Sequence, residues 1–232
     1  MLSIVLIPGF MADHTLWDDV APHLRTLGAV SYGDTTTGAT IAEMAEHILA
    51  SAPERFAVVG FSMGGYVARE IARMAPERVL ALALVATSAR GDTKEYARRK
   101  TAAAKAADPA RFKGLSRSAV TRSLHPDRAG DDAKIGRIQG MARRLGGEVF
   151  VRQASEVRES DLDRLAAIRC PTLIVAADAD ALRSLEEARE LRDGIAGARL
   201  TVIAGSGHMI PIEKPAELAA AIVPWLTENA LK

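Results

Sequence analysis

Apolar residues follow two rhythms along the chain. Short runs at Leu2–Ile7, Ala29–Tyr32, Phe56–Gly60, Val79–Ala86, Thr172–Ala177 and Leu200–Ile203 have the length of β-strands. Between them, apolar positions recur at helical intervals. Leu16, Val20, Leu24 and Leu27 share one face of a helix predicted over Thr15–Leu27, and Ile41, Met44, Ala45 and Ile48 one over Ile41–Leu49. Further helices are predicted over Met63–Met74, Leu185–Ile195 and Glu217–Leu226. Strand and helix therefore alternate. Strands that are apolar throughout, rather than at every second position, need cover on both faces, which predicts an α/β fold with a parallel sheet.

One segment departs from this rhythm. Asp92–Ser160 has helical spacing and no buried strand, and it holds 16 of the 30 Lys/Arg but 9 of the 29 Asp/Glu, a local balance of +7. The chain is expected to divide into a core made of residues 1–90 and 161–232 and a helical insertion over 91–160. The basic excess reads first as a solvated helix surface; a rim that draws anionic substrates into a cleft is the alternative.

Composition narrows the function classes. A length of 232 residues accommodates one large core with an insertion. Apolar residues at 48% and charged residues at 25% are ordinary for a globular chain. A net charge of +1 argues against a nucleic-acid binder. The opening apolar run is too short to span a membrane and lacks a basic leader and a cleavage pattern, so it is read as a first strand. The single Cys170 cannot form a disulfide within the chain or a cysteine zinc cluster. It fits a reducing cytoplasm. The sequence carries no metal or cofactor signature and no signal of oligomeric state.

The chemistry starts at Gly60-Phe61-Ser62-Met63-Gly64. This is G-x-S-x-G between an apolar strand and a helix, the context of a nucleophile elbow. The glycines clear space for a sharp turn that leaves the serine exposed, and the helix starting at Met63 offers unpaired N–H groups beside it. A serine hydroxyl needs a base. Of the five histidines, His23 and His47 fall within helices, His125 lies in the insertion, and His14 follows the first strand, where it reads first as a structural or rim residue and a pocket-lining place is the alternative. His208 sits in the small-residue loop Ala204-Gly205-Ser206-Gly207-His208 after the last strand, on the sheet edge that also carries Ser62. The acid that orients it comes from Asp178-Ala179-Asp180, where the strand Thr172–Ala177 ends. Asp180 is favoured because two residues past the strand give it reach; Asp178 is the alternative. The N–H groups of Phe10, after Pro8-Gly9, and of Met63 are the natural oxyanion donors.

With these residues together, the chain resembles the α/β-hydrolases, and among them small bacterial esterase-like members. The resemblance covers Met1–Arg90 and about Asp161–Lys232; the insertion corresponds only as a helical cap in the usual position. It implies a substrate held between sheet and cap, an acyl-enzyme on Ser62 and no cofactor. Many relatives have His-Gly where this chain has Pro8-Gly9. The family's first two strands are absent here, which leaves about six, mostly parallel. The resemblance implies a serine hydrolase of a small or medium carboxylic ester, lactone or thioester. A cofactor-free perhydrolase or C–C hydrolase with the same triad is one alternative, and a non-catalytic small-molecule receptor on this fold is another.

Overall fold

A computed structural model describes residues 1–231. Six strands form one sheet: β1 (Leu2–Ile7), β2 (Gly28–Tyr32), β3 (Phe56–Phe61), β4 (Val79–Val85), β5 (Thr172–Ala177) and β6 (Arg199–Ile203). Their order is β2-β1-β3-β4-β5-β6, and every pairing is parallel. The central strands are the uniformly apolar ones: β3 and β5 are buried at every position, whereas β2 and β6 lie at the edges and are partly exposed. Alternate residues feed two cores. Ile4, Leu6, Ala57, Val59, Leu173 and Val175 face one side, and Val5, Ile7, Val58, Leu84 and Ile174 face the other.

The helices are α1 (Ala21–Leu24), α2 (Ile41–Ser51), α3 (Met63–Met74), α4 (Lys94–Ala106), α5 (Arg117–Thr121), α6 (Asp132–Ser155), α7 (Leu185–Gly194), α8 (Ile210–Glu213) and α9 (Pro215–Ala230). α2, α3 and α7 cover the second face through Met44, Ile48, Val67, Ile71 and Leu191; α1 and α9 cover the first through Leu24, Leu218, Ile222 and Leu226. Among the described residues no helix is long and apolar enough to cross a membrane.

The helix expected over Thr15–Leu27 is instead a 3₁₀ turn at His14–Trp17 followed by the four residues of α1. Two local features divide it. Asp13 caps the 3₁₀ turn by accepting the Thr15 N–H, and Pro22, which has no N–H to give, stands in the first turn of α1. Leu16, Val20 and Leu24 are still buried, so the apolar spacing marked the core face correctly.

Residues between β4 and β5 supply α4, α5 and α6 and no strand. α6 is broken at Gly146, whose φ of 80° is open to glycine at little cost. The segment's two ends are clamped together where it leaves and rejoins the sheet: buried Asp92 accepts from both Lys100 and Arg158. Arg144 pairs with Asp13 at 2.8 Å and Arg137 with Asp19, so two of its cations bind the segment after β1.

The chain runs from β1 outward to β2 and then crosses back to β3 on the other side of β1. Loops leaving β1 and β3 therefore diverge at their carboxyl ends, and such a switch point opens a crevice there.

Candidate active site

Backbone strain concentrates at this edge. Among the described residues the non-glycine residues with positive φ are Met11 (51°), in the loop after β1, and Ser62 (52°) and Ala86 (47°), directly after β3 and β4. Ser62 has ψ of −113°, outside the ordinary allowed regions. Its neighbours over-determine that conformation. The Ser62 N–H donates to the Val85 carbonyl at 2.9 Å, and its carbonyl accepts from the Thr87 hydroxyl at 2.7 Å. The two glycines of the pentapeptide are needed for close approach: a Cβ on Gly60 would stand 2.3 Å from the Gly64 carbonyl oxygen, and one on Gly64 would stand 2.5 Å from those of Ile7 and Pro8.

The structure brings Ser62, His208 and Asp180 into one hydrogen-bonded line. His208 Nε2 lies 2.9 Å from Ser62 Oγ, and His208 Nδ1 lies 2.7 Å from Asp180 Oδ2. A carboxylate only accepts, so the hydrogen sits on Nδ1, and the lone pair of neutral Nε2 faces the hydroxyl. The Asp180 side chain is 1% exposed. Its other oxygen accepts the N–H groups of Leu182 and Arg183 at 2.7 and 2.9 Å, which fixes the carboxylate plane.

Asp178 is placed differently. It accepts the N–H groups of Gly205 and Ser206, and these backbone bonds hold its carboxyl below the usual range. It thus ties the loop before His208 to the end of β5. Among the other histidines, His14 is exposed against the Tyr32 ring and does not border the cavity. His23 and His47 are also exposed. His125 gives its backbone N–H to Glu213.

Two buried side chains brace the site without any sequence signal of their own. Glu213 accepts the Gly207 N–H at 3.0 Å and the His125 N–H at 2.8 Å, and so joins the His208 loop to the insertion. Gln153, near the end of α6, accepts the Met11 N–H at 2.9 Å and donates to the Thr35 carbonyl at 3.0 Å. It holds the strained loop after β1 from above. An acid set in the apolar run Met209-Ile210-Pro211-Ile212-Glu213 was the one hint available for Glu213. Gln153 offered none.

A cavity of about 780 Å³ opens over Ser62. Phe10, Met63 and His208 border it. The Phe10 N–H makes no hydrogen bond to the described residues, and the Met63 N–H, first in α3, has no acceptor one turn back. The larger apolar residues of the insertion that border the cavity are Leu115, Val120, Ile138, Met141 and Phe150. Phe112 stacks on Phe150 at 4.9 Å, while Leu124 and Leu145 pack into the apolar clusters below. Among the described residues no group of three or more His, Cys, Asp or Glu is placed to hold a metal ion.

Comparisons with known proteins agree with this architecture. A model of the alpha/beta hydrolase family matches residues 4–221. A pimeloyl-(acyl-carrier protein) methyl ester esterase of Pectobacterium carotovorum is 40% identical over 94 residues, which are 37% of this chain and 37% of that one. The match thus spans little over a third of that relative. A protein of the same name from Neisseria meningitidis is 29% identical over 246 residues, covering 99% of this chain and 94% of its own. Among solved structures, a malate-bound thermophilic esterase from Thermogutta terrifontis superposes with a TM-score of 0.87 at 26% identity, over 98% of this chain and 90% of that one.

Proposed function

The chain belongs to the alpha/beta hydrolase family, and from that premise we propose that it hydrolyses a carboxylic ester through an acyl-enzyme on Ser62. One observation carries the reading: the unbroken line of hydrogen bonds from Asp180 through His208 to the Ser62 hydroxyl.

In this mechanism His208 Nε2 takes the Ser62 proton as Oγ attacks the ester carbonyl. Asp180 keeps the imidazole in the required tautomer and stabilises the cation that forms. The carbonyl oxygen gains negative charge and is met by the N–H groups of Phe10 and Met63, the second reinforced by the positive end of α3. His208 then passes its proton to the leaving alkoxide. Water, deprotonated by the same nitrogen, releases the acid.

Residues 91–160 act as a cap on the core formed by 1–90 and 161–232. Their apolar side supplies the acyl wall, and at about 780 Å³ the cavity suits a small or medium substrate. From the relatives only the bond type is carried over, an ester of a carboxylic acid. The lone, half-buried Cys170 suits a cytoplasmic setting.

Turnover of a short p-nitrophenyl ester by Ser62→Ala is the test. A loss of at least ~10³-fold is expected, because removal of a triad member costs that much or more. Unchanged turnover would remove the mechanism.

A further inference from the structure

The cavity above Ser62 has a charged wall as well as an apolar one. Arg90, Lys100, Arg122, Arg158 and Arg183 border it, together with the acids Asp92, Glu156 and Glu187. Three of these cations are satisfied by protein. Arg158 and Lys100 share Asp92, and Arg90 is paired with Glu186 and Glu190. The remaining two are less fully paired. Arg122 is exposed and has no acidic partner among the described residues. Arg183 reaches Glu187 Oε1 at a long 3.4 Å, while Glu187 Oε2 accepts the N–H and the hydroxyl of Ser184 in the cap of α7.

Arg183 is the more telling of the pair. Its side chain is only 20% exposed, and its Nε is buried with no acceptor. A guanidinium withdrawn from water this far needs a counter-charge, and one long contact to Glu187 leaves its Nε unpaired. Its position is fixed, since its own backbone N–H is bonded to Asp180. Arg122 stands on the other side of the His208 loop: the next residue, Ser123, accepts the Met209 N–H. Arg183 and Arg122 thus line the cavity that also contains the catalytic histidine proposed above. A planar fork of N–H donors matches a carboxylate better than any other common substrate group of its charge and size.

We propose that Arg183, assisted by Arg122, forms a carboxylate-binding subsite, so that the substrates are esters bearing a free carboxylate on the part held in the cavity. This rests on the ester-hydrolase reading for its chemistry, while the subsite itself can be measured without catalysis.

Two experiments are run side by side at low ionic strength. In the first, p-nitrophenyl hexanoate is compared with the mono-p-nitrophenyl ester of adipic acid, which has the same chain length and a terminal carboxylate. The wild type should favour the anionic ester in kcat/KM by about tenfold, the scale of one charge-assisted contact. Arg183→Gln should reduce that ratio towards one, Arg122→Gln should reduce it less, and Arg183→Lys should restore part of it. No preference in the wild type, or a ratio unmoved by both Gln variants, overturns the subsite. In the second, binding of adipate to Ser62→Ala is measured by calorimetry and compared with Ser62→Ala/Arg183→Gln and with Ser62→Ala/Arg122→Gln, whose exposed position leaves folding untouched. Binding that weakens in the double variants supports the subsite even if neither ester is cleaved, in which case the ester-hydrolase reading alone fails. Absence of adipate binding, with both esters cleaved, overturns the subsite alone.

Discussion

Asp178 and Asp180 stand two residues apart and do different things. Asp180 is buried against His208, whereas Asp178 accepts backbone N–H groups from the turn before it. Asp180→Asn should therefore lower kcat by about three to four orders of magnitude, because an amide favours the wrong imidazole tautomer. Asp178→Asn should cost less than about tenfold in kcat, its loss being felt in the stability of the loop. Steady-state kinetics on both variants decides the assignment, and the reverse ranking would falsify it. The two-residue overhang past an apolar strand was enough to favour Asp180 in the sequence, since a side chain leaving a strand end has a reach set by local geometry. Gln153 was not legible for the opposite reason. Its partner Met11 lies 142 positions away, and nothing in an Ala- and Arg-rich helix marks one glutamine as buried.

Helix α3 does more than present Ser62. Its inner face carries Arg69, fully buried, whose guanidinium pairs with both oxygens of Asp161 at 2.8 and 2.9 Å while Arg73 binds the same carboxylate. Asp161 is where the chain re-enters the core after the insertion, so the helix behind the elbow and the end of the insertion share one ion cluster. Burial alone would raise the Asp161 pKa; the hydrogen bonds and charges of Arg69 and Arg73 outweigh it and hold the carboxyl below the ordinary range. A lowered folded-state pKa means that the contribution to stability is present above the unfolded value, near 4, and disappears as pH falls through the folded value. Asp161→Asn should lower the unfolding free energy at pH 7 by about 3–5 kcal/mol, since it leaves Arg69 buried without its counter-charge. The gap between variant and wild type should narrow below about pH 4. Urea melts at pH 7 and pH 3.5 measure both. Equal stability at pH 7 would show that the cluster contributes nothing. Among the elements themselves, the strands buried on both faces were readable because an unbroken apolar run has few other uses. The segment Thr15–Leu27 was not, because its spacing reports a buried face while the Asp13 cap and Pro22 decide how the backbone delivers it.

At the scale of the molecule, strand order places three strained turns at one edge of the sheet, and residues between β4 and β5 help to line the cavity over Ser62. The parallel sheet and the insertion's helical character follow from hydrophobic pattern alone. The destination of the insertion's basic residues does not. Ten of the sixteen are exposed, as a solvated surface requires, while Arg137 and Arg144 also bind acids beside the loop after β1, Arg158 and Lys100 clamp the insertion's ends, and Arg122 borders the cavity. Pairings across more than a hundred residues depend on how the layers stack, which local composition does not encode. All these arrangements converge on one hydroxyl, and its reactivity is the central claim. The direct measurement is incubation with a fluorophosphonate followed by mass spectrometry of the intact protein and its peptides. The account predicts one adduct per chain, on the peptide containing Ser62, formed rapidly in the wild type and lost in His208→Ala. An unmodified Ser62, or labelling that proceeds equally well without His208, would contradict it.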